Sequence, residues 1–372
     1  MNIAIIDADI VGRKKHRFPN LARMKLSGYY KQLGHNVRLE TTYDDIEIYD
    51  KVFISKVFTD TPVPDGILNL SWVEYGGTGF YFDKAPNLPD EIEHHMPDYH
   101  LYDEWIEECI ANGAKRSEFK GYTDYSIGFL TRGCFRKCDF CVNKKYDRAF
   151  KHSPLEEFYD PTRSKICLLD DNFFSCANWR ELFEELVQTG KPFQFKQGLD
   201  ERLLTDEKCE VLCSAKYDGS ITFAFDNIAD YKLIEKKLQM IRRHTKKQLT
   251  FYVLVGFDRS DKWDDAFWRQ DVIDAFARIE LLMKYGCNAY IMRYKTKGWT
   301  PYEDSPYRGI YITLARWCNQ PSFLKKKSFR EFCNADGNAA AKRYMIEFET
   351  LHKDVAERFF DIRWEDYNAK FL

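Results

Sequence analysis

The sequence predicts an α/β chain: a Rossmann-like open sheet first, then a partial (β/α)6 barrel, then a mainly helical carboxyl-terminal extension. Three observations carry this. Short β-type runs alternate with amphipathic helical runs through the first hundred residues, six further strand–helix units follow in one series, and from Trp299 onward the pattern is aromatic, basic and mostly helical. Alternation of this kind builds parallel sheets, because each crossover helix returns the chain to the edge it left. The boundaries it sets are 1–103, 104–298 and 299–372.

Taken in order, a strand at 2–6 leads through a polar loop to a helix beginning near Pro19 and Asn20. Leu21, Met24, Leu26, Tyr29 and Leu33 roughly keep helical spacing there, and Gly34 stops it. Strands follow at 36–40, 51–55 and 72–75, the last running into Gly76-Gly77-Thr78-Gly79, a turn that usually serves only to reverse the chain. The proline-, acid- and histidine-rich segment 87–104 reads as a connector lying along a surface. His94, His95 and His100 on it read as solvated rather than metal-binding.

The second series places strands at 125–130, 166–169, 193–196, 221–225, 251–255 and 289–293, with amphipathic segments at 178–188, 206–215 and 268–285 between them. One long helix is expected over 339–359. In parallel barrels the carboxyl ends of the strands hold the ligands, so chemistry is sought there.

Composition bounds the function. A chain of 372 residues, 44% hydrophobic, 16% aromatic and 31% charged, folds around a large core. Its formal net charge of −2 exerts no global pull on nucleic acid or anionic membrane. Basic runs at 13–17, 242–247 and 325–327 are local, and the first is a faint pointer to an anionic substrate. No apolar run approaches the ~20 residues of a membrane helix, and the opening run reads as a strand rather than an export signal. The expected compartment is the cytoplasm, where eleven cysteines stay reduced instead of forming a disulfide framework.

Three of those cysteines, Cys134, Cys138 and Cys141, fall within eight residues, in TRGCFRKCDFCVNKK. A structural zinc site closes with four ligands, usually as two separated pairs, and no second pair stands near. Three thiolates in so compact a run suit an iron–sulfur cube, which they hold by three corners, leaving one iron open to a ligand. The loop is polar and basic, so three unrelated core thiols is a poor reading.

The run C-F-R-K-C-D-F-C resembles the signature of the radical S-adenosylmethionine superfamily. That resemblance implies a [4Fe–4S] cluster on Cys134, Cys138 and Cys141, with S-adenosylmethionine chelated to the open iron. It implies that Phe140 packs near the adenine, and that LLDDNFF after the second barrel strand offers Asp170, Asp171 and Asn172 to the methionine amino group. In the same order along the chain, it places Asp226 and Asn227 at the ribose, Gly256 where backbone approaches the adenine, and Tyr290 and Met292 in adenine contact. From the residues alone, Asp170 and Asp171 can equally belong to a helix start, with Asn172 or Ser175 as its cap.

The implied activity is reductive cleavage of S-adenosylmethionine to a 5′-deoxyadenosyl radical that takes hydrogen from an unidentified substrate. The electron comes from a donor such as flavodoxin or ferredoxin. Lys196, Gln197, Asp200, Glu201, Arg202, Asp258 and Arg293 are substrate candidates, each as readily a surface ion pair. Residues 1–103 resemble the cobalamin-binding-like domain found in one branch of the superfamily. No D-x-H-x-x-G run is present, so cobalamin lacks its familiar histidine and the domain reads as a scaffold. Methylthiotransferases are disfavoured, since no cysteine precedes Cys109. A cobalamin-dependent methyltransferase, a zinc or iron–sulfur nucleic-acid-binding module and an iron–sulfur electron carrier stay open as alternatives.

Overall fold

The computed structural model describes residues 1–13, 15–296 and 298–368; Lys14 of the basic run 13–17 lies outside them. The chain is α/β with a helical carboxyl-terminal part, as predicted, and it divides into two compact units, Met1–Lys196 and Gln197–Leu372.

The first unit begins with four parallel strands, β1 (Asn2–Asp7), β2 (Asn36–Glu40), β3 (Lys51–Ser55) and β4 (Val73–Gly76), in the order β2-β1-β3-β4. β1 is buried from Ile3 onward. Its Ile3 and Ile5 pack with Met24, Leu26 and Phe53, while Ala4 and Ile6 pack with Val52, Ile54 and Val73. Residues of alternate parity thus feed two cores, which is why a central parallel strand reads as one continuous apolar run. The helix Leu21–Gln32 starts with an Asn20 side chain capping the Arg23 N–H.

Segment 87–104 corrects the sequence reading. It is not a surface connector: Ile92, Tyr99, Leu101 and Tyr102 are buried in the same core as Ile3 and Ile5. Its three histidines are each paired, His94 with Glu157 and His95 with Gln32 across the chain, and His100 with neighbouring Asp103.

The same unit holds the parallel sheet β5 (Tyr125–Gly128), β8 (Lys165–Leu168) and β9 (Phe193–Phe195), in the order β5-β8-β9, and the antiparallel pair β6 (Thr131–Arg132) and β7 (Phe150–Lys151). The second unit carries β10 (Ile221–Ala224), β11 (Leu249–Val255) and β12 (Cys287–Arg293) in parallel register, followed by helices. All six expected strands of the second series form, three in each unit. The single helix expected over 339–359 is instead two, Ala339–Leu351 and Lys353–Phe359, broken at His352 with φ −138° and ψ 61°. The His352 ring is held there by the Tyr307 hydroxyl at 2.6 Å, a tertiary contact that helical periodicity does not reveal. Among the described residues no helix is long and apolar enough to cross a membrane.

Candidate functional site

Cys134, Cys138 and Cys141 lie half-buried in the loop between β6 and β7. The loop closes on Gly133, whose φ of +91° is open to glycine. A Cβ there would sit 2.3 Å from the Arg148 carbonyl oxygen, so the two arms of the hairpin meet backbone to backbone. Two lysines of this basic loop staple its backbone. Lys137 Nζ donates to the carbonyls of Lys144 (2.6 Å) and Tyr146 (3.0 Å), and Lys144 Nζ donates to that of Asp139 (2.9 Å).

Two sulfurs already accept hydrogen bonds from this shell. Cys134 Sγ takes the Arg136 N–H at 3.4 Å and the Asn172 side-chain amide at 3.3 Å, and Cys141 Sγ takes the Asn143 N–H at 3.4 Å. Donors aimed at sulfur favour thiolate over thiol and tune an iron–sulfur centre. Burial, then the proximity of Cys134 and Asp171, pushes the Cys141 thiol up, a cost that a cationic centre bound to both sulfurs would remove. Among the described residues no three His, Cys, Asp or Glu side chains converge on a single ion. A four-iron cube spreads its thiolates over separate corners and needs no such convergence. Three thiols in one loop, two of them with N–H donors on their sulfurs, fit that group.

The Asp170-Asp171-Asn172 run meets the cysteine loop directly. Buried Asp170 receives the Thr131 N–H and hydroxyl, both at 2.6 Å, and the Leu130 N–H at 3.2 Å. Its burial pushes the carboxyl up to about 7 in spite of these donors. Asp171 takes the Gly133 N–H and the Asn143 amide, each at 2.7 Å. Both carboxylates therefore fix the loop that holds the cysteines. The short helical turn after Asn172 has no side-chain cap, and the helix Trp179–Gln188 starts later, at Asn178, so helix capping is not what these residues do. Phe140 is half-buried in the same loop.

The second unit holds the remaining predicted residues except Lys196, the last residue of the first. Asp226 follows β10, and burial pushes its carboxyl up to about 6. Asn227 turns its side chain back onto the Ala229 N–H at 2.9 Å. Gly256, with φ +77°, ends β11 and donates its N–H to Asp271 at 2.7 Å. Tyr290 and Met292 project from one face of β12 and are exposed. Of the substrate candidates, Arg202 is tied to Asp200 and Asp230, Glu201 is buried with its carboxyl raised to about 8, and Asp258 organises its own loop.

Sequence reasoning missed Gly133, Thr131, Asn143 and Arg278. The buried Arg278 guanidinium donates to the carbonyls of Phe225, Asp226 and Leu254, at the carboxyl ends of β10 and β11. Only an arginine inside the apolar helix 268–285 could have signalled it.

In the open sheet the strand order reverses between β1 and β3, where doubly wound sheets keep a ligand crevice. Here buried side chains occupy it. Tyr102 Oη donates to Asp7 at 2.8 Å and accepts the Asn20 N–H at 3.1 Å, and Asn20 Nδ2 donates to Ser55 Oγ at 3.2 Å.

No family model and no curated protein matches the chain. Solved structures of the cobalamin-dependent S-adenosylmethionine radical enzyme OxsB align with it. The form with aqua-cobalamin bound and the form with aqua-cobalamin and S-adenosylmethionine bound are each 13% identical, with a TM-score of 0.36 and coverage of 96% of this chain and 56% of that one. The apo, selenomethionine-labelled form has the same identity and TM-score and is covered to 61%. The chain thus spans less than two thirds of OxsB.

Proposed function

We propose that this chain is a radical S-adenosylmethionine enzyme. The observation that supports it most is the loop of Cys134, Cys138 and Cys141, with N–H donors on two of its sulfurs and Asp170 and Asp171 holding it in place. The bound [4Fe–4S] cluster would supply the electron that cleaves S-adenosylmethionine, producing a radical able to take hydrogen from a substrate.

In this reading Cys134, Cys138 and Cys141 hold the cluster, and Asn172 and the Asn143 N–H lower the basicity of its sulfurs. Phe140, Asp226, Asn227, Gly256, Tyr290 and Met292 serve S-adenosylmethionine. Segments 1–103, 104–298 and 299–372 act as scaffold, radical barrel and covering extension, and the enzyme works in the cytoplasm with a flavodoxin- or ferredoxin-type donor. The occupied crevice at Asp7, Asn20, Ser55 and Tyr102 favours a scaffold over a cobalamin site for the first segment.

Anaerobic reconstitution with iron and sulfide tests this. A brown charge-transfer absorbance lost in Cys138→Ala, with 5′-deoxyadenosine formed from S-adenosylmethionine and dithionite, is the expected result. Stoichiometric zinc with no deoxyadenosine would sink the proposal.

A further inference from the structure

Two basic runs far apart in the chain, 242–247 and 325–327, meet in the second unit. Lys325 Nζ donates to Gln248 Oε1 at 2.5 Å, across a separation of 77 residues, and lies 5.3 Å from the Trp364 ring. The turn that carries the first run is fixed from within. Arg242 donates to the carbonyls of Thr245 (3.2 Å), Lys247 (2.8 Å), Tyr285 (2.8 Å) and Gly286 (3.0 Å), and Lys247 Nζ donates to that of Cys213 (3.2 Å). Such bonds position the cations without cancelling them, because a carbonyl or amide oxygen carries no net charge. Helix ends explain only part of the runs. Arg242, Lys325 and Lys326 stand in the last turns of Tyr231–His244 and Pro321–Lys326, where a cation suits the helix dipole, but Lys246, Lys247 and Lys327 lie beyond them.

The segments that build this face carry no acid. No Asp or Glu occurs between Glu235 and Asp258, or between Asp304 and Glu331. Among the described residues, Arg242, Lys246, Lys247, Lys325, Lys326 and Lys327 form no ion pair, whereas neighbouring Arg243 pairs with Asp206 at 3.0 Å and Arg363 with Glu365 at 2.5 Å. Asp366 accepts the Arg363 N–H at 2.7 Å, and Glu210, one turn before Cys213, is a single charge against that set. Burial alone lowers the Lys325 ammonium from its ordinary value, with no carboxylate near enough to raise it. Lys246, Lys247, Lys325 and Lys326 are exposed. No exposed large apolar side chain belongs to 236–248 or 319–328. A membrane surface is held by a basic patch together with an apolar anchor, and a protein interface is centred on buried aromatic or aliphatic side chains. Charge without an apolar centre suits a phosphate backbone, which lysines meet as point charges and which carries no sequence information.

We infer that this face binds the phosphate backbone of a nucleic acid without reading its sequence. The inference does not rest on the proposed radical chemistry. Gln248 and Gly286 precede β11 and β12, so the face lies at the amino ends of these strands, whereas Asp226 and Gly256 follow the carboxyl ends of β10 and β11. A strand held here is anchored at the opposite end of the sheet from the residues assigned to S-adenosylmethionine.

Fluorescence anisotropy of labelled probes titrated with the full-length protein tests this. The probes are two twenty-nucleotide DNA strands of unrelated sequence and an RNA strand matching one of them, with sedimentation of phosphatidylcholine–phosphatidylserine vesicles as the comparison. The strands should bind alike at low salt and weaken as salt rises, with a slope that corresponds to about three to five phosphate contacts. Lys246→Glu with Lys247→Glu, and Lys325→Glu with Lys326→Glu, should each weaken binding about ten-fold and flatten that slope. Lys115→Glu with Lys120→Glu makes the same change of net charge in the first unit and should leave affinity within about two-fold. Should loss of the Gln248 and Trp364 contacts unfold the Lys325 pair, the Lys246 pair carries the test alone. No binding at low salt, vesicle binding without strand binding, a preference between the two DNA sequences, or equal weakening in the first-unit variant overturns the inference. Strand binding in a protein that never yields 5′-deoxyadenosine leaves the face standing and removes the enzyme.

Discussion

Asp170 takes both the N–H and the hydroxyl of Thr131 at 2.6 Å, and so joins the end of β8 to the strand that enters the cysteine loop. Its partner along the chain, Asp171, reaches Gly133 one residue before Cys134. Two successive carboxylates therefore set the position of the first cysteine.

The same junction makes Gly133 irreplaceable. Alanine there must adopt φ +91° and press a Cβ against the Arg148 carbonyl oxygen at 2.3 Å and Tyr146 Cβ at 2.9 Å. The left-handed strain alone costs about 1 to 2 kcal/mol, and the clash adds to it because neither neighbour is a flexible chain end. Gly133→Ala is expected to lower the unfolding temperature and to abolish iron uptake on reconstitution. Gly34→Ala is the control: φ is +80° but nothing lies within 4 Å, so it should carry the strain alone and retain iron.

Four buried carboxyls give the stability a definite pH dependence. Burial is the first cause in each, raising Glu201 to about 8, Asp170 to about 7, and Asp7 and Asp226 to about 6. The unfolded chain releases these protons near 4, so between there and pH 8 the native state binds more protons and stability falls as pH rises. From pH 6.5 to 8 the loss is on the order of 2 to 3 kcal/mol, mostly from Glu201 and Asp170. Below about 6.5 the trend is opposed, because burial lowers His152 to about 3 and the unfolded histidine gains a proton the native one refuses. One histidine offsets only part of the carboxyl effect, so urea unfolding at a series of pH values should show stability falling from pH 5 to pH 8, with a flatter alkaline limb in Glu201→Gln.

Much of this was legible in the sequence. The strands at 36–40 and 51–55 fall where alternation and turn residues put them, the cysteine loop was located from its spacing, and the Asp170-Asp171-Asn172 run was pointed to by the resemblance. What periodicity cannot carry is a contact between distant segments. Tyr99 and Tyr102 sit among acids, histidines and prolines that look solvated, yet their rings fill the core under β1 because each hydroxyl finds a buried partner. Thr131 and Gly133 gain meaning only once β8 brings Asp170 and Asp171 beside them.

Tyr102 accordingly tests the filled crevice. Tyr102→Phe keeps the ring but removes a donor from buried Asp7 and an acceptor from the Asn20 N–H. Leaving both unsatisfied should cost about 1 to 3 kcal/mol in denaturant unfolding. A change below about 0.5 kcal/mol would mean that water replaces the hydroxyl and that the crevice is open.

Arg278 offers the sharpest contrast between charge and geometry. Its Nη1 meets the carbonyls of Phe225 (3.0 Å), Asp226 (3.1 Å) and Leu254 (2.8 Å), while Nε donates to the Asp274 carbonyl at 3.1 Å. These carbonyls end β10 and β11, so one guanidinium satisfies acceptors that the sheet leaves behind. It also lies near Asp226 and Asp271 and restrains the rise that burial imposes on both carboxyls. Arg278→Met removes every donor and leaves those acceptors and two acids buried together, at a cost of about 3 to 5 kcal/mol. Arg278→Lys keeps the charge but lacks the planar fork that reaches several oxygens at once, and it should recover less than half of that loss. Thermal unfolding of the two variants beside the wild type decides the matter: full recovery in the lysine variant would show that the site needs only a positive charge.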